Sequence, residues 1–155
     1  MAVKTRWLGS GYKSESYDEA GEHRLLGDEP KQIGGADTGP SPFSLLQMSV
    51  GTCAIGTMLR AARDEKIPVE AIEADVAFKV NRLDESATSH FTVTCDLRMI
   101  EIRLRLRVTG DVDEEQASVL LWAAENCPVG NTIGGGVPIT REIEILKPGS
   151  TPPEG

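Results

Sequence analysis

SPFSLLQMSVGTCAIGTMLRAARDEK, residues Ser41–Lys66, is the stretch from which the rest of the chain can be read. Ser41 offers a capping hydroxyl and Pro42 suits the first helical position. Pro68 bars continuation at the other end. The pattern predicts a helix from 41 to about 66, and two dozen residues at helical rise span about 36 Å. No charged residue occurs between Thr38 and Leu59, and most sides of the segment are apolar. That describes a buried central helix and not a surface one. Gly39, Pro40, Ser41, Pro42, Ser44, Gln47, Ser49, Gly51 and Thr52 make its first half too polar for a bilayer span.

Upstream, Val3, Thr5 and Trp7 alternate with Lys4 and Arg6, and Tyr12 to Tyr17 extends that strand pattern. Glu19-Ala20-Gly21 signals a turn, and His23 to Leu26 reads as the return strand of a hairpin. Asp28 to Pro30 and Gly34 to Pro40 read as loop.

Downstream, Ile72, Ala74, Val76, Phe78 and Val80 alternate with charged residues. Ile100 to Val108 is the cleanest alternation in the chain: Ile100, Ile102, Leu104, Leu106 and Val108 on one face, Glu101, Arg103, Arg105 and Arg107 on the other. Phe91, Val93, Cys95, Leu97 and Met99 alternate with the opposite parity, so a bulge near residues 96 to 100 is expected. Asp113 and Gln116 form a capping-box pair at the start of a second helix. Its buried stripe is Ala117, Leu120, Leu121 and Ala124, and it ends at Asn126-Cys127 before Pro128. Ile139 to Leu146 reads as a last strand and Lys147 to Gly155 as a flexible tail. Strands and helices are grouped, not regularly alternated, which gives an α+β class with mostly antiparallel pairing.

The 155 residues suit one domain, 1–146, followed by the tail 147–155. A net charge of -8 argues against a nucleic-acid backbone or an anionic membrane surface as partner. With 39% hydrophobic and 26% charged residues the chain has enough apolar content to fold. The opening MAVKTRWLGSG has no apolar signal region. Three dispersed cysteines and the two histidines His23 and His90 provide neither a disulfide scaffold nor zinc-ligand spacing. A cytoplasmic, metal-free protein is the expectation.

Two cysteines carry the candidate chemistry. Cys53 lies three residues after Val50 and seven after Leu46; Cys127 lies three after Ala124 and seven after Leu120. If both helices pack on those stripes, the thiols face a common core. Each also reads as a small buried hydrophobe, the usual state of a free cysteine. Cys95, in a strand, reads as packing. The Gly34-Gly35 and Gly134-Gly135-Gly136 runs read as loops, and the Arg103, Arg105, Arg107 row as a solvated, ion-paired sheet face.

Asp37–Cys53, DTGPSPFSLLQMSVGTC, resembles the first cysteine helix of the OsmC/Ohr family of osmotically inducible and organic-hydroperoxide-resistance proteins. Cys127–Ile133, CPVGNTI, resembles the family's second cysteine motif, and Arg105–Asp113, RLRVTGDVD, is similar to its strand-to-helix run. The resemblance covers nearly the whole chain. It implies an OsmC-like fold, with sheets around two long central helices in an intertwined homodimer and active sites at the subunit interface. It also implies thiol-dependent reduction of organic hydroperoxides. Cys53 would become a sulfenic acid, Cys127 would resolve it as a disulfide, and an external dithiol would restore both. No metal, flavin or other cofactor is implied. The peroxidase members carry a glutamate ten residues before the first cysteine, paired with an arginine that stabilises the thiolate. This chain has Phe43 there, followed by Ser44, which places it with the divergent OsmC-like branch. Arg6, Arg24 and Lys31 are the N-terminal cations from which the arginine could come. Phe43 opens an alternative: a non-catalytic dimer that binds an apolar small molecule in the interfacial pocket.

Overall fold

The computed structural model describes residues 2–82 and 97–150. His90, Cys95 and the Phe91–Cys95 alternation lie outside the described residues. The chain packs as two compact units, one up to Met48 and one from Ser49.

The first unit holds an antiparallel sheet in the order β1 (Val3–Trp7), β2 (Ser14–Asp18), β3 (Arg24–Gly27). The sequence pattern ran Tyr12 to Tyr17 on from β1; instead the chain reverses and β2 pairs with β1, Val3 opposite Asp18. The reversal is made by Gly9-Ser10-Gly11, whose glycines take φ 86 and 53 at no steric cost. The following loop is organised by Asp28, only 2% exposed. Its carboxylate accepts from the Glu29, Ala36 and Thr38 N–H groups and from the Thr38 hydroxyl at 2.8 to 3.2 Å. These bonds, led by the Thr38 N–H, hold its pKa down at about 2. A short 3-10 turn, Lys31–Ile33, lies within the loop.

Helix α1 runs Pro42–Asp64. The Ser41 hydroxyl accepts from the Ser44 N–H at 3.2 Å, the expected cap. At the other end Lys66 takes φ 56, and Ile67 and Lys66 donate back to the Ala62 and Arg63 carbonyls. That pair of bonds is a Schellman motif, sealed by buried Ile67, and it stops the helix before Pro68 acts.

The second unit holds a sheet in the order β4 (Val69–Arg82), β5 (Leu97–Gly110), β6 (Ile139–Leu146). β4 and β5 are antiparallel; β5 and β6 are parallel, joined across α2 (Glu114–Glu125) and α3 (Pro128–Gly134). Lys79 pairs with Glu101 but Val80 with Met99, so Ile100 is the extra residue of a β-bulge. The bulge switches parity as the sequence requires: Met99 and Ile102 are both buried. It also turns Ile100 outward, 36% exposed, against its assignment to the apolar face.

Leu104, Leu106 and Val108 from β5 form the core with Val50, Ala54, Met58 and Ala62 from α1 and with Leu120, Ala123 and Ala124 from α2. Burial of each leucine contributes about 1.5–3 kcal/mol. The α2 stripe is shifted slightly from the expected one: Ala123 is buried, while Ala117 and Leu121 are only half-buried. The capping box is present in both directions between Asp113 and Gln116. On the opposite face of β5, Arg103 pairs with Glu101, Arg105 with Glu142, and Arg107 with Glu73 and Asp75.

Candidate active site

Cys53 stands on α1, whose approach to β4 depends on a glycine. A Cβ on Gly51 would stand 3.1 Å from Val76 Cγ2 and 3.6 Å from Ala74 Cβ, so the helix sits close against the strand. Cys53 is half-buried and packs against the core cluster of which Cys127 is a fully buried member. The expectation of a common core for the two thiols therefore holds.

Cys127 is not helical, against the sequence reading. Its backbone is extended, φ -67 and ψ 133, because the residue before a proline is disfavoured in the helical region. It lies between the α2 cap Asn126 and Pro128, which opens α3. Gly134, the first residue of the run expected to be loop, is the last residue of this short helix. Cys127 is thereby the N-cap of α3, and its Sγ accepts from the Gly130 N–H at 3.2 Å. Burial pushes the Cys127 thiol up from its ordinary value, and the neighbouring Cys53, by charge and by a side-chain hydrogen bond, adds to the rise. The Gly130 N–H and the Arg141 guanidinium act in the opposite direction.

Arg141 is the residue that sequence reasoning missed. It sits on β6 with the parity of Ile139, Ile143 and Ile145, half-buried like them, while Thr140, Glu142 and Glu144 face out. An arginine at an apolar-face position of an alternating strand was the available signal. Its Nη1 donates to the Ile139 carbonyl at 3.3 Å. Its Nη2 and the Cys127 Sγ converge on Gly130: a Cβ there would stand 2.8 Å from each.

Residues 34–142 match the model of the OsmC-like protein family. The chain belongs to the OsmC-like family. Solved structures share the fold across almost the full length of both partners. A protein from Psychrobacter arcticus 273-4 assigned to osmotic stress induction and detoxification response has a TM-score of 0.74 at 19% identity, covering 94% of this chain and 96% of its own. An organic hydroperoxide resistance protein OsmC from Legionella pneumophila has a TM-score of 0.70 at 19% identity, covering 92% and 95%. An organic hydroperoxide resistance protein from Elizabethkingia anophelis has a TM-score of 0.67 at 18% identity, covering 95% and 96%. No curated protein matches in sequence.

Within this OsmC-like chain two of the three N-terminal cations are paired inside their own sheet. Arg6 and Arg24 both pair with Glu15, at 2.7 and 3.3 Å, and both guanidinium groups lie over the Tyr17 ring. Among the described residues, no group of three His, Cys, Asp or Glu side chains is arranged to hold a metal.

Proposed function

We propose that this OsmC-like protein reduces organic hydroperoxides with Cys53 and Cys127 as a two-thiol pair. The observation that carries the reading is the meeting of a half-buried thiol with a fully buried one in a single core. Exposure supports the division of roles: Cys53 is half-buried, whereas Cys127 has no exposed surface. The Cys53 thiolate attacks the hydroperoxide O–O bond, becomes a sulfenic acid and releases an alcohol once the alkoxide takes a proton. The Cys127 sulfur then displaces the sulfenic hydroxyl. Its proton leaves with that hydroxyl as water, and a Cys53–Cys127 disulfide remains. A dithiol reductant from outside the protein restores both thiols by exchange.

The same proposal includes a cytoplasmic homodimer. α1 is long and apolar enough by composition to cross a membrane, yet its own chain buries only part of it. Leu59 on α1 and Trp122 on α2 are 50% and 64% exposed. Trp122 lines a groove of about 330 Å³ with Ala61, Val119 and Ala123, and with the polar Thr57, Arg60, Asp64, Glu65 and Asn126. A second copy covering α1 and α2 would remove this apolar surface from water. Phe43, at the position of the family glutamate, favours the second reading, a dimer that binds an apolar molecule without turnover.

Consumption of cumene hydroperoxide with a dithiol reductant separates the two. The peroxidase reading expects turnover that vanishes in Cys53→Ser; the binding reading expects no turnover from either protein.

A further inference from the structure

Arg103, Arg105 and Arg107 on the outer face of the second sheet are paired with carboxylates, whereas inward-facing Arg141 has no such partner among the described residues. Arg103, Arg105 and Arg107 each have an acidic partner within 3.7 Å. Among the described residues, no carboxylate lies within ion-pair distance of Arg141, and its buried Nε has no hydrogen-bond partner. A half-buried cation with a buried, unused donor is costly unless an acceptor or an anion meets it. Among the described residues, the groups nearby that can become anions are the two thiols, and Cys127 is the one that meets Arg141 at Gly130. Arg141 Nη2 and Cys127 Sγ each lie 2.8 Å from the point a Gly130 Cβ would occupy, so they are separated by at most twice that distance. Glycine at 130 leaves the space between them open.

We propose that Arg141 is a positioning residue for the resolving thiol: it holds the Cys127 sulfur over Gly130 and stabilises the thiolate from which Cys127 attacks the Cys53 sulfur. This goes beyond the peroxidase reading in both position and target, since it places a cation on the last strand and directs it at the second cysteine. Among the described residues, the charges that act on Cys127 come from Cys53 on α1 and Arg141 on β6, with the Gly130 N–H from α3 as the remaining donor.

The resolving role of Cys127 rests on the proposed function, so the test avoids peroxide. In the full chain with Cys95→Ala, the accessible Cys53 is converted with an aromatic disulfide reagent to a mixed disulfide. Cys127 thiolate then attacks the Cys53 sulfur, forms the Cys53–Cys127 bond and expels a coloured aryl thiolate. The rate of that second release follows the Cys127 thiolate population. Loss of a cation at this range raises a thiol pKa by about one unit or more. Partial compensation by nucleophilicity leaves Arg141→Gln slower by about three- to tenfold at neutral pH, with an alkaline-shifted profile. Arg141→Lys should restore most of the rate. Should Arg141→Gln fail to fold, Gly130→Ala, whose Cβ intervenes between the two groups, should show the same alkaline shift. Wild-type release rate and pH profile in these variants would overturn the inference. Absence of peroxide turnover in a protein that still shows the Arg141 effect would instead count against the peroxidase reading alone.

Discussion

Replacing Gly130 by alanine tests the crowding at the thiol pair quantitatively. The added Cβ would stand 2.8 Å from Cys127 Sγ and 2.8 Å from Arg141 Nη2. Ordinary contact needs about 3.5 Å or more, so each neighbour must yield by about 0.7 Å. Cys127 Sγ is fully buried and already accepts the Gly130 N–H, so it has little room to withdraw. Overpacking of this kind costs about 1–3 kcal/mol. Alanine in place of a helical glycine returns at most about 1 kcal/mol. The net expectation is a loss of about 1 kcal/mol, a fall in Tm of about 2–4 °C for a domain of this size. Gly134, at the other end of the same helix, is the control, because a Cβ there meets nothing within 4 Å. Gly134→Ala should leave Tm unchanged or raise it by a few degrees. Thermal unfolding followed by circular dichroism under reducing conditions reads both. A Gly130→Ala protein as stable as Gly134→Ala would refute the convergence of thiol and guanidinium on Gly130.

Two further expectations concern the frame around the site. Asp28 has its pKa lowered from 3.8 to about 2, so its contribution is fully present above pH 4 and is lost as pH falls toward 2. Chemical denaturation should therefore find Asp28→Asn less stable than wild type at pH 7, with the gap closing in that acid window. Lys66 holds a left-handed conformation that costs a non-glycine residue about 1–2 kcal/mol. Lys66→Gly should raise stability by about 0.5–1 kcal/mol after the greater freedom of glycine in the unfolded chain is subtracted, and a lower midpoint in denaturant would contradict the Schellman geometry.

What the sequence disclosed follows from which forces are local. Ser41-Pro42 set the start of α1, Asp113 and Gln116 set the start of α2, and the run Ile139 to Leu146 is β6 residue for residue. The parity conflict around Met99 and Ile100 announced a bulge that the strand register places at Ile100. Elements that depend on distant partners were less legible. The Tyr12–Tyr17 run is a strand by composition, but only the Gly9-Ser10-Gly11 reversal makes it a separate one. Parallel pairing of β5 with β6 leaves no mark in either strand's alternation. Cys127 was correctly placed near Cys53 through its spacing from Leu120 and Ala124, yet Pro128 moves it off the helix and makes it the cap of the next one. Arg141 was overlooked because a lone cation in an alternating strand looks like surface charge; its inward parity, set by Ile143 and Ile145, carried the signal.

The central claim is that Cys53 and Cys127 form a single redox pair. Mass spectrometry of the reduced protein after one equivalent of cumene hydroperoxide tests it most directly. The account predicts a Cys53–Cys127 disulfide in wild type, and in Cys127→Ser a sulfenic acid trapped at Cys53. Both thiols recovered unmodified, or oxidation that bypasses Cys53, would contradict it.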